Sequence, residues 1–571
     1  MSKLGRALRE SFLPLLLLLA AIVITTLVLD RRAERLTRHF KVIRLAPSMG
    51  GARDGKLSPE SVATTGNSQF SRLFTRGLDR QRRGELQAAR NDYEEALRLK
   101  PNHFESTFNL GLLEMESGDY QAAVVRMRAA ANLAGGAAKA RAIFALGLAL
   151  ARAGERRAAI RAYERAVEYQ PNFLPPRYNL AKLYIDDGST EAVKKAEKLL
   201  ADILALQESY APALFLRGRL ASRRGQIEEA LEYYHKAALH DATFWKARKN
   251  AGLMALRLGR LARAERIFTR LAADFPARSD GEFNLGVVAY RRRQFEKALR
   301  HYRKALQISG GKHKQAGMTT GLTLRALGRY PEALDVFDAI LAADPADAAA
   351  QVNRGLVLIQ MGRLDEARKA FQKAIDARPD YAVAYYNLGK LEAGLKRFDS
   401  AEAAYRKTLA IDPKHLKAAV NLGILLSKRG DLEGAVAAYR AATSIAPQYA
   451  PSYYNLGLAL RKMDRLQEAM GAYRRAIELD EEHVGARINL GVIHALLSQV
   501  ELAVKMFNEV LDLAPSNVKA RYNLALQYLK MGRADRAEQE LRRVLQIDPE
   551  HLLAMKSLKN LLHSKEVSDD N

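Results

Sequence analysis

The stretch YYNLGKLEAGLKRFDSAEAAYRKTLAIDP begins at Tyr385, and YYNLGLALRKMDRLQEAMGAYRRAIELDE begins at Tyr453. Aligning such stretches on the third residue of Asn-Leu-Gly gives a marker at Gly77, Gly111, Gly147, Ala181, Gly218, Gly252, Gly286, Gly321, Gly355, Gly389, Gly423, Gly457, Gly491 and Ala525. Ten of the thirteen steps are 34 residues; the others are 36, 37 and 35. A period of this length constrains the fold more than any other feature. Each unit is one supersecondary element that cannot bury its apolar face alone, so it must stack on its neighbours. The three longer steps contain NLAGGAAK, DDGSTEA and SGGKHK, which read as loop insertions.

Within the unit 348–380, AAAQVNRGLVLIQM and LDEARKAFQKAIDA read as two amphipathic helices. Gly362 permits the positive φ of a tight turn between them, and Pro379 ends the second because it cannot continue the hydrogen-bond ladder. Twelve residues after the marker stands a small residue: Ala367, Ala401, Ala435, Ala469, Ala503. Four further on is a ring in most units: Phe371, Tyr405, Tyr439, Tyr473, Phe507. Small residues let paired helices approach, and the rings fill the space beside them.

These residues resemble the tetratricopeptide repeat family, with Gly or Ala at the eighth position, Ala at the twentieth, an aromatic at the twenty-fourth and Pro at the thirty-second. Gly310 and Glu481 stand where Pro is usual, and Leu541 replaces the ring. The resemblance implies an all-α, right-handed superhelical solenoid of about fourteen helix-turn-helix repeats over 70–550, with a capping helix over 551–565 and an acidic tail over 566–571. The long array also resembles the repeat region of the O-linked N-acetylglucosamine transferases, without their catalytic part.

A search for chemistry is mostly negative. There are no cysteines, which excludes disulfides, thiolate metal sites and cysteine nucleophiles. The 11 histidines form no His-Glu-x-x-His arrangement. SGGKHKQAGMTTG lacks the Lys-Ser/Thr that closes a phosphate loop, so it reads as an inter-repeat connection. The chain is therefore not expected to be an enzyme, and no cofactor, metal or small-molecule substrate is expected.

Two residues before the marker, ten units carry asparagine: Asn109, Asn179, Asn250, Asn284, Asn353, Asn387, Asn421, Asn455, Asn489 and Asn523. The resemblance implies that this position faces a concave groove. A primary amide both donates and accepts, so a row of them could clamp the backbone of an extended peptide whatever its sequence. Rings one residue earlier, such as Phe144, Phe283, Tyr386 and Tyr454, either add stacking surface or pack between helices. The family's clamp for a C-terminal carboxylate does not fit. Its best frame supplies Asn387 and Lys417 but has Val352, Leu356 and Asn421 at the other three places.

At the front, residues 12–29 form an uncharged run of 18, about 27 Å as a helix and just enough to cross a hydrocarbon core. The expectation is a basic tail over 1–11, a transmembrane anchor over 12–29, a basic juxtamembrane helix over 30–45 and a flexible linker over 46–69. Basic residues after the run favour a repeat domain on the cytoplasmic side of a membrane. Net charge is +27, yet residues 381–571 carry only 27 basic against 23 acidic side chains, so the surplus lies before them. The sequence thus points to a membrane-anchored, non-catalytic scaffold whose partners are extended protein segments. Alternatives are an accessory subunit recruiting a separate enzyme to a membrane, or polyanion binding through clusters such as Arg223–Arg224 and Arg291–Arg293, although nucleic acid is not the expected partner.

Overall fold

The structure, a computed structural model, describes residues 68–569. Those residues form 29 α-helices joined by short turns. Ser68–Arg82 and Leu86–Leu99 make the first hairpin, Ala348–Gln360 and Leu364–Ala377 the ninth, and Val518–Lys530 and Ala534–Ile547 the fourteenth. Leu552–Asp569 follows without a partner and runs past Lys565 into the expected tail, where neither Gly nor Pro interrupts it.

The turn inside each hairpin explains the marker's partner seven residues on. Gly362 has φ 75°, and glycines hold the equivalent left-handed place in nine other hairpins. Arg293, Lys396, Asp464 and Ser498 adopt it at φ 56–61°, where a Cβ is strained. Two of the three longer steps are not loop insertions. Gly136–Arg152 and Thr190–Leu206 are 17-residue helices, so the extra residues add a turn of helix that keeps its backbone bonded. The third does lengthen the connection, between Ile308 and Lys314.

Packing within a hairpin follows one rule. A Cβ placed on Gly355 would lie 2.6 Å from Cε1 of Phe371, and the same approach joins Gly147 to Tyr163, Gly286 to Tyr302 and Gly457 to Tyr473. The ring sixteen residues on thus packs against a bare helix backbone, and Met127 takes that place against Gly111. Where the marker is Ala181 or Ala525, residue sixteen on is Glu197 or Leu541, not a ring.

The chain divides into two compact units, one ending at Met254 and one beginning at Ala255. In the first, Val124, Ile143, Leu150, Tyr163 and Leu180 share one core. In the second, Phe337, Val352, Leu358, Phe371 and Leu391 share another. Arginines tie hairpin to hairpin: Arg291 donates to the Leu256 carbonyl at 2.7 Å, and Arg223 to that of Ile185. A cation at the carbonyl end of the neighbouring helix also meets the negative end of its dipole.

The expected fold class is corrected in one respect. No helix among the described residues is long and apolar enough to cross a membrane. Most are 13 or 14 residues, about 20 Å long against a hydrocarbon core of about 30 Å, and they alternate apolar with charged faces. The anchor expected at 12–29 lies outside the described residues, as do the tail at 1–11, the basic helix at 30–45 and nearly all of the linker at 46–69. The architecture is an all-helical repeat array with no membrane-spanning element in its described part. The expected single-pass membrane location, with the repeats on the cytoplasmic side, falls with it.

Candidate recognition surface

All ten asparagines lie on the first helix of their hairpins. Helical geometry places the residue four positions back directly beneath each amide. Six use that neighbour: Asn179, Asn284, Asn353, Asn387, Asn489 and Asn523 donate Nδ2–H to the carbonyls of Pro175, Asp280, Ala349, Val383, Gly485 and Lys519 at 2.8–2.9 Å. One amide hydrogen is thereby spent on the helix itself. What remains for a ligand in five of them is the second N–H and the Oδ1 acceptor; Asn353 also gives Nδ2–H to Met318 Sδ at 3.6 Å and accepts from Arg325 at Oδ1.

The other four differ. Asn109 and Asn250 stand within hydrogen-bonding reach of the Tyr93 and Tyr234 hydroxyls, whose pKa burial pushes up to about 12. Asn421 reaches the Tyr386 hydroxyl at 3.5 Å, and Asn455 makes no such bond. Asn284, Asn387 and Asn489 are buried, and the other seven half-buried. The row therefore offers its amides unequally: Asn455 has the most unspent capacity and Asn353 the least.

The rings one residue earlier are taken up by packing. Phe283, Tyr386, Tyr454 and Tyr522 meet His313, His415, His483 and His551, which cap the helix that follows the hairpin, at centroid distances of 4.7–5.1 Å. Phe144 meets Phe173 and Phe215 meets Phe244 in the same way. From the ninth to the fourteenth hairpin the ring position alternates: Val352, Tyr386, Val420, Tyr454, Ile488, Tyr522.

The histidines, which form no metal-binding motif, have a structural role that the sequence did not disclose. Five of the eleven precede a helix, His103, His313, His415 and His483 a first helix and His551 the final one, and each accepts the amide three residues on through Nδ1 at 3.1–3.2 Å. That bond needs a neutral imidazole, and burial holds His103 and His415 below the ordinary histidine pKa. Four of them share a place eight residues before the marker, which was the signal available. Asp347 and Asn517 fill it elsewhere and cap likewise.

The buried carboxylates serve structure. Asp92 takes Arg76 at 2.6 Å and Arg80 at 2.8 Å, and Glu392 takes Arg368 at 2.6 Å. An open cleft of about 640 Å³ lies along the first helix, between Ser71 and Glu85, but Arg76 and Arg80 on its wall are spent on Asp92. Among the described residues no group of three or more His, Asp or Glu could hold a metal ion.

Comparison with known proteins agrees with this construction. Models described as tetratricopeptide repeat match residues 74–138, 140–173, 249–313, 347–414, 450–483 and 495–562, and one described as TPR repeat matches 425–464. No curated protein matches the chain. Among solved structures, YrrB, described as a TPR protein with an unusual peptide-binding site, is 26% identical over 34% of this chain and 99% of its own, with a TM-score of 0.31. The Cut9–Hcn1 hetero-tetramer of the APC/C is 17% identical over 87% of this chain and 97% of its own, with a TM-score of 0.32. The C-terminal part of a TPR repeat-containing protein from Cytophaga hutchinsonii is 16% identical over 42% and 98%, with a TM-score of 0.38.

Proposed function

The chain belongs to the tetratricopeptide-repeat family, and on that premise we propose that it is a non-catalytic scaffold holding extended segments of partner proteins against its first helices. The observation that carries this reading is an amide at one equivalent place in ten of fourteen hairpins, within described residues that consist of repeats and a final helix. All but Asn353, whose Oδ1 takes Arg325, keep an unspent acceptor, and most a second donor, which together match the backbone of an extended chain. In this respect the array would act as the repeat region of the O-linked N-acetylglucosamine transferases is expected to.

Polyanion binding is the weaker reading, because the arginine clusters that suggested it are engaged. Arg223 donates to the Ile185 carbonyl, Arg224 pairs with Glu197, Arg291 donates to Leu256 and Arg292 pairs with Glu265. The test uses the full chain and a fluorescein-labelled ten-residue peptide alternating Ser and Gln. Replacing Asn387, Asn421 and Asn455 together by Ala removes up to three peptide hydrogen bonds and should weaken binding about 10–100-fold, with far-UV helicity unchanged. Equal affinity in the triple variant would refute the assignment of these amides to peptide binding.

A further inference from the structure

From the ninth hairpin to the fourteenth, charge is divided between the two helices of each pair. The second helices carry 12 Lys and Arg against 14 Asp and Glu, whereas the first helices carry 11 against one. That one acid is Glu392, which is buried and taken by Arg368 at 2.6 Å. Of the five arginines on these first helices, four are spent on carboxylates of second helices: Arg354 on Asp338, Arg429 on Glu402, Arg487 on Glu509 and Arg521 on Glu540, at 2.6–3.3 Å. The lysines are not spent in this way. Lys390, Lys417, Lys428, Lys462, Lys519 and Lys530 are all exposed and, among the described residues, pair with no carboxylate; Lys530 alone makes a hydrogen bond, to the Ala495 carbonyl at 3.4 Å.

These lysines share a face with the asparagines. Residues three, four and seven apart lie on one side of a helix. Lys417, Asn421, Ile424 and Lys428 keep that spacing, as do Asn387 with Lys390, Asn455 with Lys462, and Asn523 with Lys519 and Lys530. Direct contacts carry the face from one hairpin to the next: Lys390 Nζ stands 5.9 Å from the centre of the Tyr386 ring, whose hydroxyl meets Asn421 Nδ2 at 3.5 Å. Neither Asn421 nor Asn455 donates to its own helix, so the lysines of hairpins ten to twelve flank amides with capacity to offer. Unpaired cations gathered on one exposed face attract an anionic occupant. We infer that hairpins ten to twelve take an acidic extended segment of a partner protein, its backbone on the amides and its Asp or Glu side chains on Lys390, Lys417, Lys428 and Lys462. A nucleic-acid strand would answer the lysines and leave the amides without the peptide groups they match. The inference rests on the peptide-scaffold reading and gives the partner segment a sign of charge.

The experiment compares two fluorescein-labelled ten-residue peptides, one alternating Ser and Glu and one alternating Ser and Gln, on the full chain at about 150 mM salt, where long-range attraction is screened. Each is about 33 Å long when extended, enough to cross more than one hairpin. With four lysines in reach, each forming an exposed pair, the acidic peptide should bind about tenfold more tightly. Replacing Lys390, Lys417, Lys428 and Lys462 together by Gln should remove that preference and leave the Ser-Gln peptide within about twofold of wild type. Replacing Lys369, Lys373, Lys407 and Lys505 together by Gln removes the same charge from exposed places on second helices and should keep the preference. A preference that survives the first variant, or that falls equally in both, would overturn the inference. The triple asparagine variant should weaken the acidic peptide as well. A ten-nucleotide single strand of DNA bound as tightly as the Ser-Glu peptide, and indifferent to the asparagine replacements, would assign the face to nucleic acid and overturn the inference too. Ser-Gln binding that depends on the asparagines, with no acidic preference, would retain the scaffold and discard the acidic partner. Failure of both peptides to bind wild type would discard both.

Discussion

Gly355→Ala sets two effects against each other inside one hairpin. In a helix interior, alanine is favoured over glycine by about 1 kcal/mol. The new Cβ, however, would stand 2.6, 2.9 and 3.0 Å from Cε1, Cδ1 and Cζ of Phe371. Carbon atoms are at ease near 3.5–4.0 Å, so the ring must retreat by about 1 Å. Phe371 is fully buried among Ala367, Ala370, Ala374 and Val352, which leaves it nowhere to go. Overpacking of this kind costs about 1–3 kcal/mol, so the net change is a loss of up to about 2 kcal/mol. Phe371→Leu alone leaves a void. Together the two substitutions recreate the Ala525–Leu541 pair that the fourteenth hairpin already uses with both residues fully buried. The double variant should therefore lose at least about 1 kcal/mol less than the sum of the singles, the coupling expected of residues in contact. Because stability in a repeat array is nearly local, the readout is amide hydrogen exchange across residues 348–377, supported by the urea midpoint. Additive losses, or slower exchange in Gly355→Ala alone, would refute the ring-on-glycine account.

Lys396→Gly relieves a left-handed residue that is exposed and should raise local stability by about 0.5–1 kcal/mol, read as a higher urea midpoint. Capping by neutral histidine makes stability sensitive to acid. Burial lowers the folded-state pKa of His415, so below about pH 6.5 the unfolded chain takes up the proton first. The melting temperature should be flat above that pH and fall below it. His415→Asn, which copies Asn517, should lessen the fall; an equal slope would place the sensitivity elsewhere. Arg368→Met leaves Glu392 buried with only Arg397 at 3.7 Å, and should cost about 2 kcal/mol, most of it recovered by adding Glu392→Gln. Thermal melts of the two variants measure this.

The hairpin array was legible because its instructions are local and repeated. Gly355, Ala367, Phe371 and Pro379 recur at fixed offsets, and each specifies a contact within one or two helices. The insertion near Gly136 was misjudged because a few extra residues fit a loop or an added helical turn equally well, and only packing decides. The capping histidines were overlooked because His415 was weighed as a chemical group and not by its place in the period. The asparagine column was readable as a column. Nothing in the letters indicates that Asn387 spends an N–H on Val383 or that Asn353 holds Arg325, since those depend on rotamer and on the next hairpin.

The alternation of Val352, Tyr386, Val420, Tyr454, Ile488 and Tyr522 means that hairpins nine to fourteen are not interchangeable bricks. A mispairing displaced by one hairpin would set a tyrosine where an aliphatic side chain belongs and strand a histidine cap without its ring. A displacement by two would match throughout. Kinetic traps in this half of the chain, and any exchange of segments between molecules, should therefore come in strides of 68 residues, not 34.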